Sequence, residues 1–245
     1  LMYQARQYIP LPVSAVSVDW FKIEEYEEPG VGKFQRILLI GVPNEIIRKY
    51  KNIFSALGLR LIALEVESLS LVRALVNEKN EAATMIVDIG TEATNVVITE
   101  RGVLKYNGQS DFGAVYLSQA LARSLGLSLA RAEELKRRRG LLGSGGEFEL
   151  STLIIPFLDV IIQESRHIKD VFERRYAKKV ESLILTGGGA NLLGIEKYFA
   201  KELNLRLIAP SPIADIGHPL VLEPIVKELS NVLPVAIGLA KKHFV

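Results

Sequence analysis

The chain has 245 residues, 49% of them hydrophobic, enough to bury one sizeable core or two smaller ones. Its 30 lysines and arginines nearly cancel 28 aspartates and glutamates, so no broad basic field exists to hold nucleic acid, and zero cysteines exclude disulfides, thiolate metal sites and cysteine nucleophiles. The longest apolar runs, such as "STLIIPFLDVII", are too short to cross a bilayer, and His167, His218 and His243 show no metal-ligand spacing.

In chain order, "SAVSVDWFKI" (14–23) alternates as a strand, and "EEYEEPGVGK" supplies charge, Pro29 and two glycines for a loop. "RILLIGV" predicts a buried strand. Ile46, Ile47, Tyr50, Ile53, Phe54 and Leu57 share one helical face, and Gly58 ends that helix. "LRLIALEV" predicts another strand before a short helix capped by Ser68, with Leu71, Val72 and Leu75 turned inward. The polar "NEKNEA" marks a candidate domain boundary.

Beyond it, "TMIVDIG", "TNVVIT" and "VLKYNG" predict a meander with tight turns. Helical patterns follow over 114–124, 128–137 and 152–176, the last starting late or bending at Pro156. "SLILT", three glycines, a helix to Leu203, a strand "LRLIA" and a final helix over 233–242 complete an α/β pattern with mixed sheets.

Three motifs carry chemistry. Gly187, Gly188 and Gly189 follow a buried strand, either as a tight turn or as a close approach of backbone to a ligand. A P-loop is excluded, because no Gly-Lys-Ser or Gly-Lys-Thr follows, and a dinucleotide fingerprint is weak, because Leu192 stands where glycine is required. Asp88, Gly90, Thr91 and Thr94 occupy a hairpin turn whose amides and hydroxyls suit phosphate oxygens; Asp88 either holds magnesium through water or caps the hairpin as an Asx turn. Glu133 and Lys136, three apart on a helix, make an ordinary surface ion pair or hold a ribose hydroxyl and an adenine edge.

Ordered as an Asp-x-Gly hairpin, an Ala-Glu-x-x-Lys helix and a strand with Gly-Gly-Gly, the set resembles the second half of the actin, Hsp70 and sugar-kinase fold. Segments such as "RILLIGVPNEIIRKYKNIFSALGLRLIALEVESLSLVRAL", "IVDIGTEATNVVI", "SDFGAVYLSQALA", "QESRHIKDVF" and "LILTGGGANLLGI" resemble more closely the PilM family of type IV pilus assembly proteins, relatives of FtsA. The resemblance implies an actin-like (ribonuclease-H-like) ATPase fold. It implies an incomplete one, comprising the inserted subdomain and the second lobe, since no first phosphate loop precedes Asp88. On that scheme residues 1–78 are the remainder of the first lobe with the inserted subdomain. Residues 79–245 are the second lobe, with 114–180 as a helical cap and a terminal helix over 233–242.

What the resemblance implies for function is a cytoplasmic, ATP-binding scaffold of pilus or type II secretion assembly, at the inner face of the inner membrane. It would bind the cytoplasmic tail of a PilN-type membrane protein, with pilus motor ATPases and self-association as further contacts. ATP, with Mg, would pass beside Gly187, Gly188 and Gly189 and tune conformation more than fuel turnover; the 245-residue chain alone is expected to bind it poorly. Glu67, where a strand hands over to a helix, matches the turn that positions the attacking water in relatives of this fold, and is also an acidic residue suited to a helix start. An FtsA-like division protein and a small-molecule kinase of the same fold are the alternatives.

Overall fold

The computed structural model describes residues 7–28, 30–77, 79–142, 148–214 and 216–243. The chain falls into two compact units, one ending at Glu65 and one beginning at Val66. The polar stretch 77–82 therefore lies within the second unit.

The first unit is an antiparallel hairpin followed by a helix. Strands β1 (Val16–Glu28) and β2 (Gly32–Pro43) pair from Val16↔Pro43 to Glu28↔Gly32. The charged "EEYEE" is thus strand, not loop, and Pro29, expected in that loop, lies outside the described residues. Cross-strand chemistry explains it: Tyr26 stacks on Phe34 at 5.6 Å, Arg36 lies 4.9 Å over the Tyr26 ring and pairs with Glu24, and Glu27 faces Lys33. β2 is exposed or half-buried along its length, not buried as its apolar run predicts. Helix α1 (Asn44–Ala56) ends at Gly58, whose φ of +66° suits glycine, but it buries no residue, and Ile46, Tyr50 and Ile53 are exposed. Residues 59–66 form no strand, because none of the described residues pairs with them; Ile62 is 71% exposed.

In the second unit, a five-stranded sheet has the order β5-β4-β3-β6-β7. β3 (Ala83–Ile89), β4 (Thr94–Glu100) and β5 (Val103–Ser110) form the expected antiparallel meander. β6 (Val180–Thr186) and β7 (Arg206–Ile208) continue it in parallel beside β3. β3 buries both faces and reads as a continuous apolar run, as an inner strand must.

Seven α-helices among the described residues complete the unit: α2 (Glu67–Leu75), α3 (Ala114–Leu125), α4 (Leu129–Arg139), α5 (Phe148–Tyr176), α6 (Ile195–Leu203), and the terminal pair α7 (Val226–Val232) and α8 (Pro234–Lys241). Ser68 does not cap α2: the N-cap is Val66, and Ser68 is buried inside the first turn. Ser128, in contrast, does cap α4, accepting from the Arg131 amide. α5 starts earlier than Pro156 suggests and runs through it. Burial of Leu150, Ile154, Leu158, Ile161 and Ile162 against the sheet, at about 1.5–3 kcal/mol each, offsets the roughly 3 kcal/mol that an internal proline costs.

Candidate functional site

The parallel register of β3 and β6 creates the site. Asp88 sits opposite Thr186, so the hairpin turn after β3 and the glycine turn after β6 leave the sheet side by side. A ligand crevice at the carboxyl ends of such strands is the general rule for open α/β sheets. Here a cleft of about 720 Å³ opens there, lined by the hairpin (Gly90, Thr91), α3 (Ala114, Ser118), α4 (Leu129, Ala130, Glu133, Lys136, Arg137), the glycine turn (Gly188, Gly189, Asn191, Leu192) and α7 (Glu228, Val232).

Six of the residues singled out by sequence line it: Gly90, Thr91, Glu133, Lys136, Gly188 and Gly189. Several of them also hold the turns together. The Gly90 amide donates to Ala93 O (2.9 Å), closing the hairpin instead of facing the cleft. The carbonyls of Gly90 and Thr91 accept from the Ala114 and Val115 amides (both 2.9 Å), so the start of α3 is docked on the turn. Gly113, missed in the sequence, permits this approach: a Cβ there would meet Thr91 O at 2.5 Å.

The glycine triplet divides its labour. A Cβ at Gly187, where φ is +85°, would meet Ile89 O at 2.4 Å and Asp88 Oδ1 at 2.5 Å, and one at Gly189 would meet Ile89 Cγ2 at 2.3 Å. Those two glycines serve close packing against β3, and Gly187 lies outside the cleft lining. Around Gly188, by contrast, nothing lies within 4 Å of the position a Cβ would take, so this backbone is the part left open for a ligand.

Thr94 is fully buried, outside the cleft, and its hydroxyl donates to Phe112 O at 2.7 Å, which pins the hairpin. Asp88 is also outside the lining. Burial, reinforced by the negative charge of Glu67 and partly opposed by a hydrogen bond from Asn95, pushes its carboxyl up to about 6. Asn95 donates to Glu67 Oε2 at 3.0 Å, so β4 ties the start of α2 to the end of β3, and Glu67, Asn95 and Asp88 form one cluster that sequence spacing did not reveal. Among the described residues no group of three or more His, Cys, Asp or Glu side chains is arranged to hold a metal ion.

Glu133 and Lys136 are more than a surface ion pair. Lys136 is buried, and its three ammonium protons meet Glu133 Oε2 (2.7 Å), Ser118 Oγ (2.8 Å) and Ala114 O (3.1 Å). Ser118 donates to Glu133 in turn, and Arg137 Nε reaches Glu133 Oε1 at 3.0 Å. Burial raises the Glu133 pKa, but hydrogen bonds from Lys136, Ser118 and Arg137, with the Lys136 charge, outweigh it and hold the carboxyl at about 2. Lys136 thus braces α3 against α4, and Arg137, 73% exposed and paired with Glu133, is a second cation at the rim.

The remaining wall is welded by Asn231. Its carbonyl accepts from the Gly187 amide (2.8 Å) and Thr186 Oγ1 (2.9 Å), and its Nδ2 donates to Asn191 Oδ1 (2.8 Å).

Five strands in mixed order, with a cleft between a β-hairpin and a glycine turn, are the features of an actin-like fold. Solved structures agree. The chain is similar to a chain of the "PilM-PilN type IV pilus biogenesis complex" (24% identity, TM-score 0.82, covering 98% of this chain and 70% of that one). It is also similar to MreB5 of Spiroplasma citri bound to ADP (15%, 0.61, 81% and 65%) and to the ethanolamine utilization protein EutJ from Carboxydothermus hydrogenoformans (22%, 0.53, 77% and 59%). A family model described as type IV pilus assembly protein PilM matches residues 1–244, and the chain belongs to that family.

Proposed function

We propose that this chain is part of a nucleotide-binding scaffold of type IV pilus assembly, working at the inner face of the inner membrane, which holds the cytoplasmic tail of a PilN-type membrane protein. The observation that carries the nucleotide part is the cleft itself, where the hairpin, the α3–α4 brace and the open backbone at Gly188 converge. Its residues fit ATP: Thr91 and Gly188 suit phosphate oxygens, Arg137 adds a rim cation, and Leu129, Ala130, Leu192 and Val232 offer an apolar bed for a purine. MreB5, of the same fold, is described bound to ADP. Asp88 and Glu67 fit a hydrated magnesium ion, because two neighbouring carboxylates repel and a divalent cation relieves that repulsion. Magnesium would supply charge neutralisation to the phosphates, and Glu67 would orient water if turnover occurs.

Support for the partner comes from family membership and from the complex in which the PilM-PilN relative was solved. The first unit also exposes Trp20, Ile46, Tyr50 and Ile53, apolar side chains suited to anchoring a short peptide. Motor ATPases and further copies of the chain would meet the scaffold so assembled. No helix among the described residues is long and apolar enough to cross a membrane, so contact with the bilayer would run through the partner.

Titration with Mg·ATP followed by NMR, which reads weak binding as well as tight, tests the nucleotide reading. Saturable shifts should map to Thr91, Gly188 and Arg137 and disappear in Gly188→Val, whose thermal midpoint should stay near wild type because its side chain enters open space. Absence of saturable shifts in the wild-type chain refutes nucleotide binding. Fluorescence anisotropy with a labelled PilN-type tail peptide tests the partner, and no binding at micromolar concentrations refutes it.

A further inference from the structure

We propose that Asn231, which does not line the cleft, is a positioning residue that orients the amide of Asn191 so that its nitrogen donates to the base of a bound nucleotide. The inference rests on the nucleotide reading above.

Asn231 lies on α7 and is 2% exposed. Two of its three hydrogen bonds use the backbone carbonyl, which any residue at that position would supply, so the weld between α7 and the glycine turn does not need its side chain. The side chain makes a single bond, from Nδ2 to Asn191 Oδ1 at 2.8 Å, while its own Oδ1 is buried with no partner among the described residues. A buried acceptor left unpaired costs at least as much as one hydrogen bond returns. An asparagine here therefore does nothing for stability that an apolar residue would not do as well.

What it does achieve lies one residue further toward the cleft. Asn191 lines the cleft, and because its Oδ1 is held inward by Asn231, its Nδ2 is the end that remains for a ligand; that nitrogen has no hydrogen bond among the described residues. Beside it, Leu192 and Val232 form apolar wall, and Leu129 and Ala130 face the same space. Such a wall suits the faces of a flat ring, and a purine edge carries unprotonated ring nitrogens that accept a hydrogen bond. Without Asn231 the Asn191 amide would rotate freely and present donor or acceptor indifferently.

The test compares wild type, Asn231→Ala, Asn191→Ala and the double variant, using Mg·ATP affinity by NMR titration and the thermal midpoint without nucleotide. Each single variant should weaken binding by about three- to tenfold, the double variant no more than the weaker-binding single, and the Asn231→Ala midpoint should fall by no more than about 2 °C. Asn231→Val, closer in volume, serves if the alanine variant does not fold. Wild-type affinity in the Asn231 variants, weakening that only follows lost stability, or additive losses in the double variant would each overturn the proposal while leaving nucleotide binding intact. A wild-type chain that binds no nucleotide would overturn both.

Discussion

Helices α2 and α8 touch through backbone alone at one point, and replacing Gly238 with alanine probes it. A Cβ at Gly238 would lie 1.9 Å from Ser70 O, 2.6 Å from Ser70 C and 2.9 Å from its Cα. All three are main-chain atoms, so no rotamer change relieves the clash, and the helices must part until 1.9 Å becomes at least 3.4 Å. That movement also strains the bond from Arg73 Nη1 to Gly238 O, now 2.8 Å. Against this, glycine to alanine inside a helix gains about 1 kcal/mol of propensity. Overpacking costs about 1–3 kcal/mol and weakening a charge-assisted hydrogen bond about 1.5–3 kcal/mol, so the clash wins by about 1.5–5 kcal/mol. For a chain of this size the thermal midpoint should fall by about 3–20 °C in a circular dichroism melt. An unchanged or higher midpoint would show that propensity dominates and that α8 does not press on α2 at Ser70.

Two further predictions concern the acidic cluster. Asp88 has its folded pKa raised from 3.8 to about 6, so its ionised form is a cost to the fold above pH 6 that is progressively relieved as pH falls through 6 and is gone below 3.8. Asp88→Asn should therefore stabilise the chain by up to about 3 kcal/mol at pH 7.5 and by almost nothing near pH 4; urea unfolding at both values checks this, and a destabilised variant at pH 7.5 contradicts it. Glu67→Gln removes the charge that adds to burial in raising that pKa, so the Asp88 carboxyl, followed by carbon-detected NMR, should titrate lower than in wild type. The same substitution should reduce any ATPase rate, and an unchanged rate removes Glu67 from catalysis.

The meander of the second unit was legible because an apolar run with tight turns has one economical reading, and the mixed sheet followed from interleaved helices. What failed was whatever depended on a partner across space. Residues 24–28 look like a charged loop until Gln35, Phe34 and Lys33 stand opposite them. The apolar residues of 59–66 suit a strand, but a strand needs a backbone neighbour, and none among the described residues supplies one.

The same limit shaped the site. Spacing placed Glu133 beside Lys136, but not Ser118 and the Ala114 carbonyl, which come from another helix and make that lysine a brace as well. Three identical glycines are indistinguishable in sequence; only Ile89 and Asp88, on the neighbouring parallel strand, decide that Gly187 and Gly189 are packed and Gly188 is open. Asn231 was invisible for a further reason, since two of its three bonds come from a carbonyl that every residue carries. The division of labour among the glycines has its cause in the β3–β6 register: Asp88 opposite Thr186 brings two turns nearly 100 positions apart into contact. With that register fixed, a hairpin that closes on itself and a glycine turn held by α7 leave one stretch of backbone, at Gly188, without a packing duty, and that is where a ligand can be met.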